Sequence, residues 1–274
     1  MRATIGASAR TVEAAPGPYT RPMPQAFVRE PSALLTQCEL SYLKREPIDL
    51  ARAQRQHARY VAELATLGCQ IEWLPPLPAQ ADGVFVEDTA VLVPEVGVIT
   101  RPGAESRRDE VHSVAAALAR HLELVRVQAP GTLEGGDVLR VGRALYVGAS
   151  ARTNAAGVMQ LSAALAPFGY TVEPLALRGC LHLKSAVTFI PPATLLVNPA
   201  WLDAARLPPA QLIEVAPEEP FGANTLTVCG VTLVSADYPR TRARLEAAGI
   251  LTRALEVSEL HKAEAALTCL SLIL

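Results

Sequence analysis

No Cys-x-x-Cys pair occurs in this sequence, and its five cysteines (Cys38, Cys69, Cys180, Cys229 and Cys269) are odd in number and widely spaced. That pattern excludes a zinc ribbon or a disulfide framework as the basis of the fold. The five histidines show no His-x-x-x-His spacing around an acid, so no metal set is expected. Gly135-Gly136 is not a phosphate loop, because neither the dinucleotide nor the P-loop glycine pattern is present. Basic residues are scattered and the formal net charge is −2, which leaves no electrostatic footprint for nucleic acid or an anionic membrane. No uncharged apolar run is long enough to span a bilayer. The first 22 residues carry charge, Pro and Gly but no apolar h-region, so they do not read as a secretory signal. The expected compartment is cytoplasmic and reducing.

Half of the residues are hydrophobic, enough for a sizeable core without staples. Residues 1–22 are expected to be a loose tail and residues 23–274 a single domain. Ala26–Arg29 reads as a first strand, and Leu34–Leu43 as a loop or partly helical segment with exposed apolar residues. Asp49–Leu67 reads as a helix opened by Pro47 and stopped by Gly68, with Leu50, Ala53, Ala58, Val61, Leu64 and Ala65 near one face. A strand is expected over Gln70–Leu74, and the last nine residues, Ala266–Leu274, read as a buried strand with Cys269 in its middle.

Between these ends a unit returns: a polar motif, two strands joined by a turn, a helix in most copies, and a closing strand. The motifs are Phe85–Asp88, Leu133–Asp137, His182–Ser185 and Ala223–Thr225. Helices are expected over Arg108–Arg120, Asn154–Leu165 and Arg240–Ala248. Stepping through Glu87, Glu134, His182, Asn224 and Cys269 gives a period of roughly 45 residues, the mark of a repeat architecture. The unit is ββαβ, and the first strand completes the unit of Cys269, so five units can close into a ring. The alternative is an open α/β sheet. Units related by rotation would bring their polar motifs to one axis, a funnel with carboxylates, a His and a Cys at its floor.

A thiolate nucleophile with an imidazole to move protons is a known pairing, although a buried Cys is more often a small hydrophobe. Cys180, two residues before His182, is a rival to Cys269, whose repeat-equivalent position favours it. His57, His112, His121 and His261 look like solvated residues. Asp82, Glu87, Asp88, Glu134, Asp137 and Glu264 are costly to bury without a cation, and a guanidinium substrate would supply one. Read alone, Glu87-Asp88 is a turn cap and Glu134-Gly-Gly-Asp137 a hairpin loop. Arg107 and Arg152 suit a carboxylate, with solvent exposure at a helix start as the alternative.

Six ordered segments carry a resemblance: Phe85–Ala90, Ile99–Arg108, Leu133–Leu139, Arg152–Asn154, Leu181–Ser185 and Leu267–Cys269. From about residue 25 onward the chain resembles the dimethylarginine dimethylaminohydrolase family of the guanidine-modifying pentein superfamily. The resemblance implies an α/β five-bladed propeller and covalent catalysis with no metal and no cofactor. By that pattern Cys269 attacks the guanidinium carbon, His182 is the acid and base, and Glu134 orients His182. Glu87, Asp88, Ala263 and Glu264 fall among the substrate-binding positions, with Asp88 and Glu264 on the guanidinium nitrogens. Asp82 and the Leu40 carbonyl match the α-ammonium positions, and Arg107 and Arg152 the α-carboxylate positions. Leu40 would lie on a mobile lid. The implied partner is a small guanidino amino acid, and the implied state a monomer or homodimer.

Three departures bear on specificity. Lys184 stands where arginine deiminases resemble one another in having an acid, Glu264 is one methylene longer than the Asp familiar in relatives, and Leu270 replaces a second Cys. The expected reaction is hydrolysis of Nω-methylated arginines to citrulline and an alkylamine. An amidinotransferase, a hydrolase of another guanidino compound and a non-catalytic ligand-binding propeller remain alternatives.

Overall fold

The strands are short, and most are largely apolar, a pattern that suits burial on both faces, and the structure shows where the two faces go. The computed structural model describes residues 23–274; the tail expected over residues 1–22 lies outside the described residues. The strands are β1 (Gln25–Val28), β2 (Gln70–Trp73), β3 (Ala90–Val93), β4 (Val96–Ile99), β5 (Leu124–Arg126), β6 (Val138–Val141), β7 (Ala144–Ala149), β8 (Thr171–Ala176), β9 (Val187–Ile190), β10 (Thr194–Val197), β11 (Gln211–Glu214), β12 (Leu226–Val228), β13 (Val231–Ser235), β14 (Thr252–Leu255) and β15 (Leu272–Ile273). The helices are α1 (Leu50–Thr66), α2 (Val111–Leu118), α3 (Ala155–Leu165), α4 (Leu183–Ala186), α5 (Pro239–Ala247) and α6 (Ser258–His261).

Five three-stranded sheets result: β15-β1-β2, β3-β4-β5, β6-β7-β8, β9-β10-β11 and β12-β13-β14. In each, the first two strands are antiparallel and the third runs parallel to the second. Parallel pairing needs a crossover, and α1, α2, α3 and α5 supply it in four sheets. In the fourth sheet a short 3-10 turn at Ala204–Arg206 stands between β10 and β11. The α/β class and the ββαβ unit expected from sequence are therefore present.

Alternate residues of a strand face opposite sides. Here Ala26 and Val28 enter one apolar cluster and Phe27 another; Leu145 and Val147 enter one and Tyr146 the next. Among the described residues, four of the five apolar clusters are each shared by two sheets consecutive in chain order, and the fifth is shared by the last sheet and the first. The sheet of β15, β1 and β2 joins the two ends of the described chain, with Phe27 opposite Leu272 and Ala26 opposite Ile273.

Side-chain caps set the starts of α1 and α3. Asp49 accepts from the Arg52 amide and Asn154 from the Gly157 amide, each at 2.9 Å, so α1 begins at Leu50, one residue after the expected start, with Asp49 as its cap. Its buried face differs from the expected one: Ala58 and Ala65 are exposed, while Gln56 and His57 are buried. Gln56 is drawn inward by bonds to Ser258 Oγ and the Glu259 amide. His57 is not solvated; it packs against the Tyr60 and Trp73 rings, and burial lowers its pKa to about 4, so it is neutral. His261 is also engaged, stacked on Tyr238 and 3.0 Å from Asp237.

The carboxyl-terminal reading needs correction. Cys269 does not lie within a strand: Thr268–Leu270 form a 3-10 turn, and the strand is only Leu272–Ile273. The reason is tertiary. The Thr268 amide and hydroxyl are committed to Asn224 and Glu87, so they cannot join a sheet ladder. Comparable single turns precede the hairpins at Val86–Thr89, Gly135–Asp137 and α4. Among the described residues, no helix is long and apolar enough to cross a membrane.

Candidate active site

The turns before the hairpins meet and are tied together by side chains that each turn lends to the next. Asp88 Oδ1 accepts from the Gly136 amide at 3.0 Å, and Asp137 Oδ1 accepts from the Leu183 amide at 3.1 Å. Lys184 Nζ donates to Glu87 Oε1 and Thr268 Oγ1 to Glu87 Oε2, both at 2.6 Å; Asn224 Nδ2 donates to Thr268 Oγ1 at 3.0 Å. These bonds satisfy groups that would be expensive to bury alone.

On one side of this floor is a small cleft lined by Glu39, Asp82, Asp88, Arg107, Arg152, His182, Ala263, Glu264 and Cys269, with Phe85, Leu181 and Ala265. A wider opening on the other side is lined by Glu87, Lys184 and the inner strands of the five sheets, but it holds no thiol and no imidazole. The cleft is therefore the candidate site. Leu40 is half-buried beside it, and its neighbour Glu39 lines it.

His182 Nε2 lies 2.7 Å from Glu134 Oε2, and its Nδ1 lies 3.9 Å from Asp88 Oδ1. Burial opposes charge on this imidazole, yet Asp88, Asp137 and Glu134 together raise its pKa to about 9. Burial acts to raise the Glu134 carboxyl, but the His182 bond and charge outweigh it and hold it below the usual range. Glu134 Oε1 accepts from the Gly103 amide at 3.0 Å, and Arg152 Nη1 lies 3.5 Å away. Burial pushes the Cys269 thiol far up, and Glu87 and Asp88 push it further, so the free site holds a neutral thiol.

Arg107 is buried, with Nη1 on Asp88 Oδ2 at 2.7 Å, Nη2 on the Phe85 carbonyl at 3.1 Å and on Glu110 Oε2 at 3.0 Å. Burial opposes its charge, and Glu110 and Asp88 more than offset that. Glu110, an acid that sequence reasoning passed over, is fully buried for this purpose. The pairing pulls Glu105–Glu110 into a 3-10 segment, so the regular part of the expected helix over Arg108–Arg120 is only α2. Burial also raises the Asp82 carboxyl, against Arg107 and the Glu39 amide.

Two expected contacts are placed elsewhere. Glu87 does not line the cleft; both its oxygens are taken by Lys184 and Thr268, and it faces the opposite opening. Glu264 does line the cleft, but its carboxylate accepts the Ser41, Tyr42 and Leu43 amides. The Leu34–Leu43 segment is also more buried than expected, because Leu35 and Cys38 enter the core.

Asp88, Glu134 and His182 gather donor atoms within 4.8 Å, a group that the sequence spacing did not reveal. These atoms are already committed to one another, to Arg107 and to the Gly136 amide, so the trio does not suit a metal. The glycine pair has a steric reason. A Cβ on Gly135 would collide with the Glu87 carbonyl, and one on Gly136 would lie 2.7 Å from His182 Nδ1 and 2.8 Å from Asp88 Oδ1. Gly136→Ala is expected to displace the imidazole and to lower turnover by about 10²-fold with the fold retained, measured by steady-state kinetics beside a thermal melt.

No family model matches the chain. The chain is 40% identical over 252 residues, 91% of its own length and 96% of the relative, to N(G),N(G)-dimethylarginine dimethylaminohydrolase of Streptomyces coelicolor. A structure of the Pseudomonas aeruginosa enzyme, a cysteine-to-serine mutant complexed with citrulline, superposes with a TM-score of 0.87 at 33% identity, covering 92% of this chain and 99% of that one. The N-terminal domain of a cyanobacterial arginine dihydrolase has the same fold, with a TM-score of 0.82 at 19% identity over 92% of this chain and 97% of that one. Fold and cleft together thus define a protein of the guanidine-modifying pentein class. The chain belongs to the dimethylarginine dimethylaminohydrolase family.

Proposed function

We propose that this protein hydrolyses Nω-methylated arginines to citrulline and dimethylamine or methylamine, with Cys269 as nucleophile. The carrying observation is that a buried thiol and a charged, carboxylate-bound imidazole line one cleft. Four acids (Glu39, Asp82, Asp88, Glu264) and two arginines (Arg107, Arg152) line that cleft, a surplus that favours a cation. A bound guanidinium offsets the negative charges that hold the thiol protonated, so the substrate's arrival releases the proton.

The thiolate adds to the guanidinium carbon, and the bond to the alkylated nitrogen breaks as that nitrogen takes a proton from His182. Since Nε2 is held by Glu134, Nδ1 is the nitrogen left for this transfer. The neutral imidazole then takes a proton from water, whose oxygen adds to the carbon, and the C–S bond breaks as the hydroxyl proton passes to the departing sulfur, which releases citrulline and restores the neutral thiol. Asp88 holds the guanidinium, Asp82 and the Leu40 carbonyl the ammonium, and Arg107 and Arg152 the carboxylate, with Ala263 lining the pocket. The dimethylarginine dimethylaminohydrolase relative of Streptomyces coelicolor and the citrulline complex of the Pseudomonas aeruginosa protein support this reading. So does the arrangement of sheets, which we read as five blades of a single domain over residues 23–274 about one axis, in a cytoplasmic protein.

Purified protein should release citrulline and the corresponding amine in equal amounts from asymmetric dimethylarginine and monomethylarginine. Citrulline-free turnover, or transfer to added glycine or lysine, would defeat the hydrolase reading. The pH profile carries a sign. His182 keeps its proton below about 9, so kcat/KM should fall as pH rises through that value. Its imidazolium likewise contributes stability that is full below its ordinary 6.5 and lost as pH rises through about 9. Glu134→Gln removes one of the raising charges and should move the alkaline limb down by about a unit or more.

A further inference from the structure

Glu264 has a left-handed backbone (φ 57°), a conformation that few residues other than glycine adopt. Its amide is bonded to the His261 carbonyl at 3.0 Å, just past the end of α6. From there its carboxylate sits in a concave run of three successive amides. The Ser41 amide donates to both oxygens, at 3.0 and 2.9 Å, and the Tyr42 and Leu43 amides donate to Oε1. Such a run of backbone N–H groups is an anion cradle, here filled by the protein's own side chain.

The consequence falls on the residue before Ser41. Leu40 C=O and Ser41 N–H belong to one planar trans peptide, so they point in opposite directions. Fixing the N–H on Glu264 fixes the carbonyl away from Glu264. On the other side of Leu40, the Glu39 amide donates to Asp82 Oδ2 at 3.1 Å. The loop is tied a third time by Arg152 Nη2, which donates to Ser41 Oγ at 3.1 Å. The Leu40 peptide is thus held between the acid assigned to the ammonium and the acid at position 264.

We propose that Glu264 is a positioning residue for substrate recognition: through the Leu40–Ser41 peptide it orients the Leu40 carbonyl toward the α-ammonium of the guanidino amino acid, rather than binding the guanidinium itself. This rests on the functional reading above.

The test compares wild type with Glu264→Gln in the full chain. In ligand-free protein, the Ser41, Tyr42 and Leu43 amides should exchange hydrogen about tenfold faster in the variant. With monomethylarginine, kcat/KM should fall by about tenfold, carried by KM, with kcat nearly unchanged. With 5-(N′-methylguanidino)pentanoate, which lacks the α-ammonium, the loss should stay below about twofold. Equal losses on both substrates would mean that Glu264 acts on the guanidinium, and unchanged exchange would mean that it does not hold the loop; either overturns the proposal. A wild type that turns over neither compound would instead sink the functional reading, and the proposal with it. A melting temperature kept within a few degrees separates these outcomes from unfolding.

Discussion

Cys269→Ser should leave a folded protein whose citrulline release is lower by roughly 10³-fold or more. The residue sits on a turn whose shape depends on neighbours, not on its own sulfur: Thr268 is bonded to Asn224 and Glu87, and Leu270 is buried in the core. The substitution changes one buried atom, so the thermal melt should move little while the nucleophile is lost. A serine hydroxyl has no comparable route to an anion, because the charges available favour a thiolate only when a guanidinium is bound. Substrate should still bind, so isothermal titration with monomethylarginine would separate lost chemistry from lost recognition. Retained turnover would remove Cys269 from its role and return attention to Cys180, which is buried and donates to the His182 carbonyl.

Deletion of Leu270–Leu274 should abolish cooperative folding, not activity alone. Leu270 is fully buried and Leu272 nearly so. The deletion also removes the Ser271 hydroxyl, 2.7 Å from Tyr60, and the pairing of β15 with β1. Loss of two core leucines alone destabilises by about 2–5 kcal/mol each, comparable to the whole stability of a typical domain. The cluster that joins the first and second sheets includes Leu272, so the damage spreads to both sheets. Far-UV circular dichroism and a melt would show the loss; a stable, cooperatively folded chain ending at Cys269 would contradict it.

The repeat was legible because its strands are apolar and its polar motifs recur, and the ββαβ units follow that spacing closely. Helix starts were legible where a cap carried the signal, as at Asp49 and Asn154. Local pattern misled where a distant partner decided burial. Gln56 and His57 lie inside because α6 and Trp73 receive them, and no periodicity announces that. Glu110 gave no signal, since its reason is the charge of Arg107.

By itself the sequence determined the α/β class, the order of the units and the family, because hydrophobic period, turn residues and ordered motifs are properties of the chain. The cleft residues Asp82, Asp88, Arg107, Arg152, His182, Ala263, Glu264 and Cys269 could be named in advance for the same reason. What each one touches was decided only by the tertiary structure. Glu87 and Glu264 are both acids beside the site, yet one closes the floor through Lys184 and Thr268 and the other holds the loop of Ser41–Leu43. Cys269 reads as a strand residue until Asn224 and Glu87, distant in sequence, claim the groups of Thr268 and bend the chain into a turn. A carboxylate or an amide bonds to whichever partner the packing brings within about 3 Å, and that choice is made between elements, not along them.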